Sequence, residues 1–434
     1  MRTAIVGGGA AGFFLAINLK EMCPEMQVTI FEKSKKVLAK VEVSGGGRCN
    51  CTNSFEAVTD LQQVYPRGHR LLKRLFKTFD YRDAYEWFEN HGVRLVTQDD
   101  HCVFPMSQDS HTIINMFLAE AKRHGVEVRT GCKIESLEEL EEYDYKVITT
   151  GGMPKNQVSI FSPRSAMPLG LSKKLGGNQR GLSEGNSSLF RPPLSPPTSG
   201  GEIITPVPSL FTFSINDENL HNLMGTVVED AMVAIPGTKY RSEGPLLITH
   251  WGMSGPAILK LSSYAARDLY EHNYQMPLSV NWTSCKEPEI QQELQSIIAQ
   301  HPQKQIASIR PFNLPSRLWD YLVAKTLGER AQNRWQNLNK KELNRLTNAL
   351  CNDQYKIAGR AAFKDEFVTC GGIDLKAVDQ NTLESKTLPQ LYFAGEVLDI
   401  DGVTGGFNFQ AAWTTAYCVA TAITQSVHCN QSPY

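Results

Sequence analysis

The chain has 434 residues, enough for two or three domains with several buried cores. Its 44 basic and 45 acidic residues leave a formal net charge of −1, so bulk charge argues neither for nucleic acid nor for membrane. Ten cysteines without one CxxC pair suggest neither a zinc site nor a disulfide framework, and read mostly as reduced, buried side chains. No metal site is expected. The start, MRTAIVGGG, enters a strand pattern directly, without a charged leader or cleavage site, and no apolar run approaches the ~20 residues of a membrane span. A soluble, cytoplasmic protein with no membrane partner is the expectation.

The apolar run Thr3–Val6 suits a strand buried on both faces. Gly7-Gly8-Gly9-Ala10-Ala11-Gly12 then fits GxGxxG, an apolar helical segment runs from Phe13 to Leu19, and a second strand, Val28–Phe31, ends in Glu32. In that order these features predict a dinucleotide site: Gly7 for the tight turn, Gly9 for close approach of a pyrophosphate, Gly12 for helix–strand packing, and the acid for a ribose. The helix N-terminus would offer free N–H groups to the phosphates.

The next stretch, VEVSGGGRCNCTN (residues 41–53), sets three glycines beside an arginine and two cysteines and has no helical or strand period. A helix-rich segment follows, with the next clear strand near Val126–Val128. This order suits FAD proteins, whose loops close over the flavin, better than NAD dehydrogenases with continuous βα units. Strand Lys146–Ile148 leads into Thr149-Thr150-Gly151-Gly152, a third cofactor turn. Residues 202–284 alternate apolar and polar side chains and predict an antiparallel β domain. Within it, His250 in THWGMSGPA reads either as a substrate contact or as a satisfied structural histidine.

Residues 287–350 predict helices, with Ile290, Leu294, Ile297 and Ile298 at helical spacing and a second stripe of Leu318, Tyr321, Leu322 and Leu327. This region carries Arg310, Arg317, Lys325, Arg330, Arg334, Lys340, Lys341 and Arg345 near Trp319, Tyr321 and Trp335. It is either a nucleic-acid surface or a solvated face over an ordinary core. At the far end, strand Leu391–Phe393 stops at Gly395 and Glu396. Asp399 and the turn Gly405-Gly406-Phe407-Asn408 follow, then an apolar helical stretch from Ala411 to Ile423. A strand, an acid, a Gly pair and a helix make a second place for backbone amides to meet a ligand.

Together GGGAAG, GGGRCN-x-TN and LYFAGE-x-LD-x-DG-x-TGGFN-x-Q closely resemble the BaiN and aminoacetone-oxidase-like NAD(P)/FAD-dependent oxidoreductases. The resemblance covers nearly the whole chain. It implies an α/β fold with a Rossmann-like FAD-binding domain built from both chain ends, an inserted β-barrel-like domain and a small helical domain inserted within that. The expected boundaries are 1–176 and 373–434 for the FAD domain, 202–285 and 351–372 for the β domain, and 286–350 for the helical one. The resemblance also places Arg48, Cys49 and Asn50 against the cofactor, with Asn53 nearby. The catalytic candidates are Arg48, whose planar fork can offset negative charge, and Cys49, which is either a redox or proton-donating thiol or a small residue in a tight space. Cys51 is expected to alternate away from it, and a disulfide across one residue would be strained. Remaining cofactor contacts are expected from Lys33, Gly47 and Ile134.

Where such proteins continue from the third turn with a Gly-Asp-Gly motif, this chain has Met153-Pro154-Lys155-Asn156 and Ile160-Phe161-Ser162-Pro163. A helix is expected near Leu169–Gly176, and residues 177–201, rich in Gly, Ser, Pro and Asn, read as a flexible insertion. No second GxGxxG lies between the FAD segments, so NAD(P)H is expected as a transient electron donor. The substrate would be a small unsaturated ring or an amine. One alternative is a flavin reductase forming dihydrouridine in ribosomal RNA; another is a FAD-holding protein with a structural or sensing role. The sequence leaves the oligomeric state open.

Overall fold

A short, strongly apolar first strand, Arg2–Val6, occupies the centre of the main sheet. The computed structural model describes residues 1–152, 203–361 and 368–431. The departure after Gly152, the helix near 169–176 and the insertion at 177–201 therefore lie outside the described residues. The sheet runs Leu391–Phe393, Tyr145–Ile148, Arg2–Val6, Gln27–Glu32, Glu127–Thr130, with every described neighbour pair parallel. A strand from near the C-terminus, Leu391–Phe393, thus pairs with Tyr145–Ile148, far earlier in the chain. Helix Ala10–Met22 follows the first strand and is buried continuously from Ala11 to Leu19, because helix Phe407–Gln431 and an aromatic cluster cover its outer side. Phe14 lies 5.6, 4.4 and 5.1 Å from Phe79, Trp87 and Trp413. A helix apolar all round belongs inside, as here.

Between the second strand and Glu127–Thr130 the sequence pattern showed no strand. The structure has a small antiparallel sheet there, joining Thr52–Asn53, Cys102–Pro105 and Leu95–Thr97. Runs of two to four residues are too short to carry a period.

The middle of the chain forms a closed six-stranded barrel: Val227–Ala234, Arg241–Thr249, Gly252–Ser254, Phe213–Ile215, Asp353–Arg360, Pro277–Asn281 and back to the first. His250 and Trp251 form the tight turn between two of its strands, and helix Pro256–Tyr264 follows. Helices Glu287–Gln300, Ser316–Leu327 and Lys340–Cys351 are inserted between two adjacent barrel strands. Trp319 and Trp335 are fully buried there and stack 6.2 Å apart, so these aromatics belong to the core and not to a binding face. A separate two-stranded ribbon, Ile203–Ser209 with Val368–Ile373, belongs to neither the barrel nor the parallel sheet.

Candidate cofactor site

Because the main sheet is parallel, its strands all end on one edge, and the glycine-rich turns collect there. In open α/β sheets this carboxyl edge is where ligands bind. Gly7, at φ +120°, packs so tightly on Thr149 that a Cβ would lie 2.4 Å from the Thr149 carbonyl oxygen. At Gly12 a Cβ would lie 2.1 Å from the Gly7 carbonyl oxygen, so helix and turn touch backbone to backbone. Gly9 differs: a Cβ there meets no protein atom within 4 Å. Gly9 is also the N-cap of helix Ala10–Met22, which has no side-chain cap and no acid in its first turn. Free N–H groups, an uncompensated positive helix end and open space beside the backbone suit an anion.

The Glu32 carboxylate accepts the Gly8 N–H at 2.9 Å and the Ser34 N–H at 2.8 Å, which holds it beside the turn. Lys33 is exposed immediately after it. Cys132 donates its N–H to the Glu32 carbonyl, which brings the segment carrying the buried Ile134 alongside. The Thr149 hydroxyl donates to the Gly7 carbonyl at 2.9 Å, fixing the Thr150-Gly151-Gly152 turn against the first one. Gly395, at φ +80°, approaches Ala11 so closely that a Cβ would lie 3.0 Å from the alanine methyl. Glu396 accepts from Lys40 at 2.8 Å and from the Thr369 N–H at 2.9 Å. A Cβ on Gly152 would meet both Thr369 and Glu396.

The loop after Gly47 is locked to the C-terminal turn across some 350 residues of sequence. With its amide oxygen toward the Gly406 N–H, Asn50 accepts there at 3.1 Å and donates to the carbonyls of Val103 and Thr52. Asn53 donates to the Gly405 carbonyl at 3.0 Å, and Thr52 hydrogen-bonds Gln410 at 2.6 Å. Gly406, at φ +88°, lies so close that a Cβ would be 2.2 Å from the Thr52 carbonyl oxygen. Asn408 accepts the Gly402 N–H and donates to the Gly402 carbonyl, both at 2.8 Å, clamping the same turn. Tyr65 donates to the carbonyl of Phe407, the first residue of the C-terminal helix.

Other expected site residues have different surroundings. Arg48 folds back on its own loop, donating to the Gly45 carbonyl and to Gln108, with its guanidinium 4.2 Å from the centre of the Phe104 ring. Cys49 is wholly buried by protein atoms. Its φ of +61° breaks the expected alternation, so Cys51 does not point elsewhere: the two sulfurs lie 3.9 Å apart. Burial holds the Cys51 thiol well above its ordinary value. Gly47 is exposed, and its carbonyl accepts the Ser110 N–H. Both Asp399 oxygens are engaged by Arg267, at 2.8 and 2.9 Å, and one also accepts the Gly371 N–H. His250 is exposed, against the edge of Trp251. Lys40, Thr52, Thr369 and Gln410 were not among the expected site residues, although Thr52 and Gln410 stand within the quoted motifs GGGRCN-x-TN and TGGFN-x-Q.

A family model described as the HI0933-like protein Rossmann domain matches residues 1–422. The chain belongs to the HI0933-like family. With that family it is a FAD-binding oxidoreductase. Among curated relatives, the chain is 26% identical to a ribosomal RNA dihydrouridine synthase of Haemophilus influenzae, over 97% of this chain and 98% of the relative. It is likewise 26% identical, with the same coverage, to a 3-dehydro-bile acid delta(4,6)-reductase of Clostridium scindens. An Escherichia coli ribosomal RNA dihydrouridine synthase is 27% identical over 96% of each chain. The residues of this HI0933-like protein fit FAD on their own chemistry: the open backbone at Gly9 and the uncapped helix suit a pyrophosphate, and Glu32 is held where the fold presents an acid to a ribose.

Proposed function

We propose that NAD(P)H supplies electrons to FAD held in this site, and that a small unsaturated ring or an amine exchanges them. The observation that carries this reading is the lock between the Asn50–Asn53 loop and the Gly405–Gly406 turn, in a C-terminal segment whose Gly395 packs on Ala11 of the GGGAAG turn. Bound FAD supplies the two-electron redox chemistry. The chain supplies binding and electrostatics. The N–H groups at Gly9–Ala11 would hold the pyrophosphate, with Glu32 on the ribose. The positive end of helix Phe407–Gln431 would favour negative charge at the flavin's pyrimidine end. Gly47, Arg48, Asn50, Asn53, Thr150–Gly152 and Gly395–Glu396 would line the remainder. Cys49, enclosed by protein atoms, fits a packing role better than a chemical one.

The test is the anaerobic visible spectrum of the purified protein. Prompt bleaching of the flavin band on adding NADH or NADPH, with recovery in air, is expected. A bound flavin that both donors leave oxidised would remove NAD(P)H from the proposal and favour a substrate-reduced or non-catalytic protein.

A second reading, reduction of a uridine in ribosomal RNA, is supported by two relatives of that name and by a basic face. Lys340, Lys341 and Arg345 are exposed along one side of helix Lys340–Cys351, where with Asn344 and Asn348 they line an open groove. Of the other cations of this segment, Lys325 pairs with Asp353, Arg330 with Glu342, and Arg317 donates to the carbonyls of Asn222 and Met224.

A further inference from the structure

Three helices end together on the surface of the sheet domain, away from the glycine turns. Glu21 lies in the last turn of helix Ala10–Met22, His91 is the C-cap of helix Tyr81–Asn90, and His124 is the C-cap of helix Ser110–Arg123, which also carries Glu120. Each C-terminus contributes partial negative charge, about half an elementary charge for a long helix. Two carboxylates among three such ends make a place that demands a cation. Glu21 is about 16 Å along its helix from Ala10, so this place is distinct from the cofactor site.

The donor atoms converge at ligand spacing. Single ligand atoms of Glu21, His91 and Glu120 all lie within 4.8 Å of one another. His91 Nε2 is 3.0 Å from Glu21 Oε1, and His124 Nε2 is 3.6 Å from both Glu21 Oε1 and Glu120 Oε2. Two ligands on one tetrahedral zinc stand about 3.3 Å apart, given Zn–N and Zn–O bonds near 2.0–2.1 Å. The observed separations bracket that value. His91 is also oriented from behind: its Nδ1 lies 2.6 Å from the Trp87 carbonyl oxygen and its ring stacks on the Trp87 indole. Both ring nitrogens of His91 face acceptor oxygens, so Nε2 holds a proton toward Glu21 that an entering metal would displace, while the Nδ1–H on the Trp87 carbonyl is the usual second-shell support of a metal-bound histidine.

Arg123 supplies the countercharge. It ion-pairs with Glu120, donates to His124 Nε2 at 3.1 Å and stands 3.9 Å from Glu21, with its side chain 62% exposed. Glu120 Oε2, although ion-paired and buried, receives no hydrogen bond of proper geometry. We propose that Glu21, His91 and Glu120 bind a divalent transition metal, zinc in the first place, and that His124 turns in as a fourth ligand while Arg123 swings away when the ion enters. Two imidazoles and two carboxylates suit zinc, and the ion neutralises both acids. The role is structural: the ion ties together the ends of three helices of the sheet domain.

The test uses the full-length, flavin-loaded protein, equilibrated with zinc chloride and then dialysed against a weak chelator. Elemental analysis is expected to give one zinc per chain, and competition with a chromogenic chelator gives the affinity. Glu120→Gln and His124→Gln should each weaken zinc at least about tenfold, the usual scale for losing a ligand or its support. Flavin content should stay at the parent level, which reports that both variants fold. Arg123→Gln should tighten zinc, because it removes the competing cation. Absence of stoichiometric zinc would overturn the proposal. So would parent-level affinity in both folded ligand variants, since the zinc would then reside elsewhere. Weaker zinc in Arg123→Gln would mean that the cluster is an ion-pair network built around the arginine.

Discussion

Two glycines of one motif serve opposite purposes, and alanine separates them. Gly12 is required by the protein itself, since its Cβ would lie 2.1 Å from backbone. Gly12→Ala should therefore lower stability by about 1–3 kcal/mol, the usual cost of overpacking, and lose the flavin as well. Gly9 has φ −94° and open space, so alanine is tolerated by the fold. Gly9→Ala should cost the apoprotein no more than about 1 kcal/mol, the scale of an N-cap change, while flavin occupancy falls sharply. Denaturant unfolding of the apoproteins beside the flavin absorbance of the purified forms decides this; equal instability in both would sink the assignment of Gly9 to the cofactor. The same scale separates Cys49 from catalysis. With the thiol enclosed, Cys49→Ala should bleach with NAD(P)H at a rate within about threefold of the parent, well short of the 10²–10⁴-fold loss expected of a general acid. Iodoacetamide should label the exposed Cys429 under native conditions and reach Cys49 and Cys51 only on unfolding, since protein atoms wholly enclose both sulfurs and keep the reagent out. The facing of these two sulfurs was not legible in the sequence. A non-glycine residue at positive φ is set here by the loop, through the Cys49 N–H bond to the Ser44 carbonyl.

At the level of elements, the acids after the last strand tie domains together. Asp401 is fully buried and forms a two-pronged ion pair with Arg67, while Ser209 of the ribbon donates to it at 2.9 Å. Arg67 also donates to the carbonyl of Ser263, in the helix that follows the barrel strands, at 2.8 Å. Beside Asp401, the Arg67 guanidinium is held above its already high ordinary value despite burial. Asp399 makes the parallel link to Arg267. Asp401→Asn leaves the Arg67 charge buried without its partner, and should cost about 3–5 kcal/mol, read from the denaturant midpoint. A loss under 1 kcal/mol would show that the contact is incidental. The elements themselves were largely legible: the first two strands, the first helix and the last strand–turn–helix all lie where apolar period and glycine punctuation put them. Their pairing was not. Nothing in the local pattern of Asn50, Thr52 and Asn53 announces a partner near Gly406, because that contact depends on the closure of the whole domain and not on any short-range period. Nor does LD-x-DG show that its acids face arginines, since those arginines lie far off in sequence.

For the whole molecule, the open issue is the size of the substrate, and the basic helix face is the place to ask. Lys340 and Lys341 occupy the first turn of helix Lys340–Cys351, where cations oppose the helix dipole and weaken the helix by a few tenths of a kcal/mol each. The Asn339–Glu342 capping box offsets that cost. A polyanion docking against Lys340, Lys341 and Arg345 would displace counterions, and each phosphate contact adds about 0.7–0.9 to the slope of log affinity against log salt. Reversing the three charges together, to glutamate, should therefore lower the slope for ribosomal RNA by about 2–3 if this face is the docking surface. Flavin content and NAD(P)H bleaching should be unchanged, because the helix stands in the inserted domain and not in the sheet domain that holds the cofactor turns. If the parent binds ribosomal RNA without salt dependence, or the reversal leaves the slope as it was, the face is merely solvated. The small-molecule reading then stands alone, and the search for substrate moves to unsaturated rings and amines that reoxidise the bleached flavin without air.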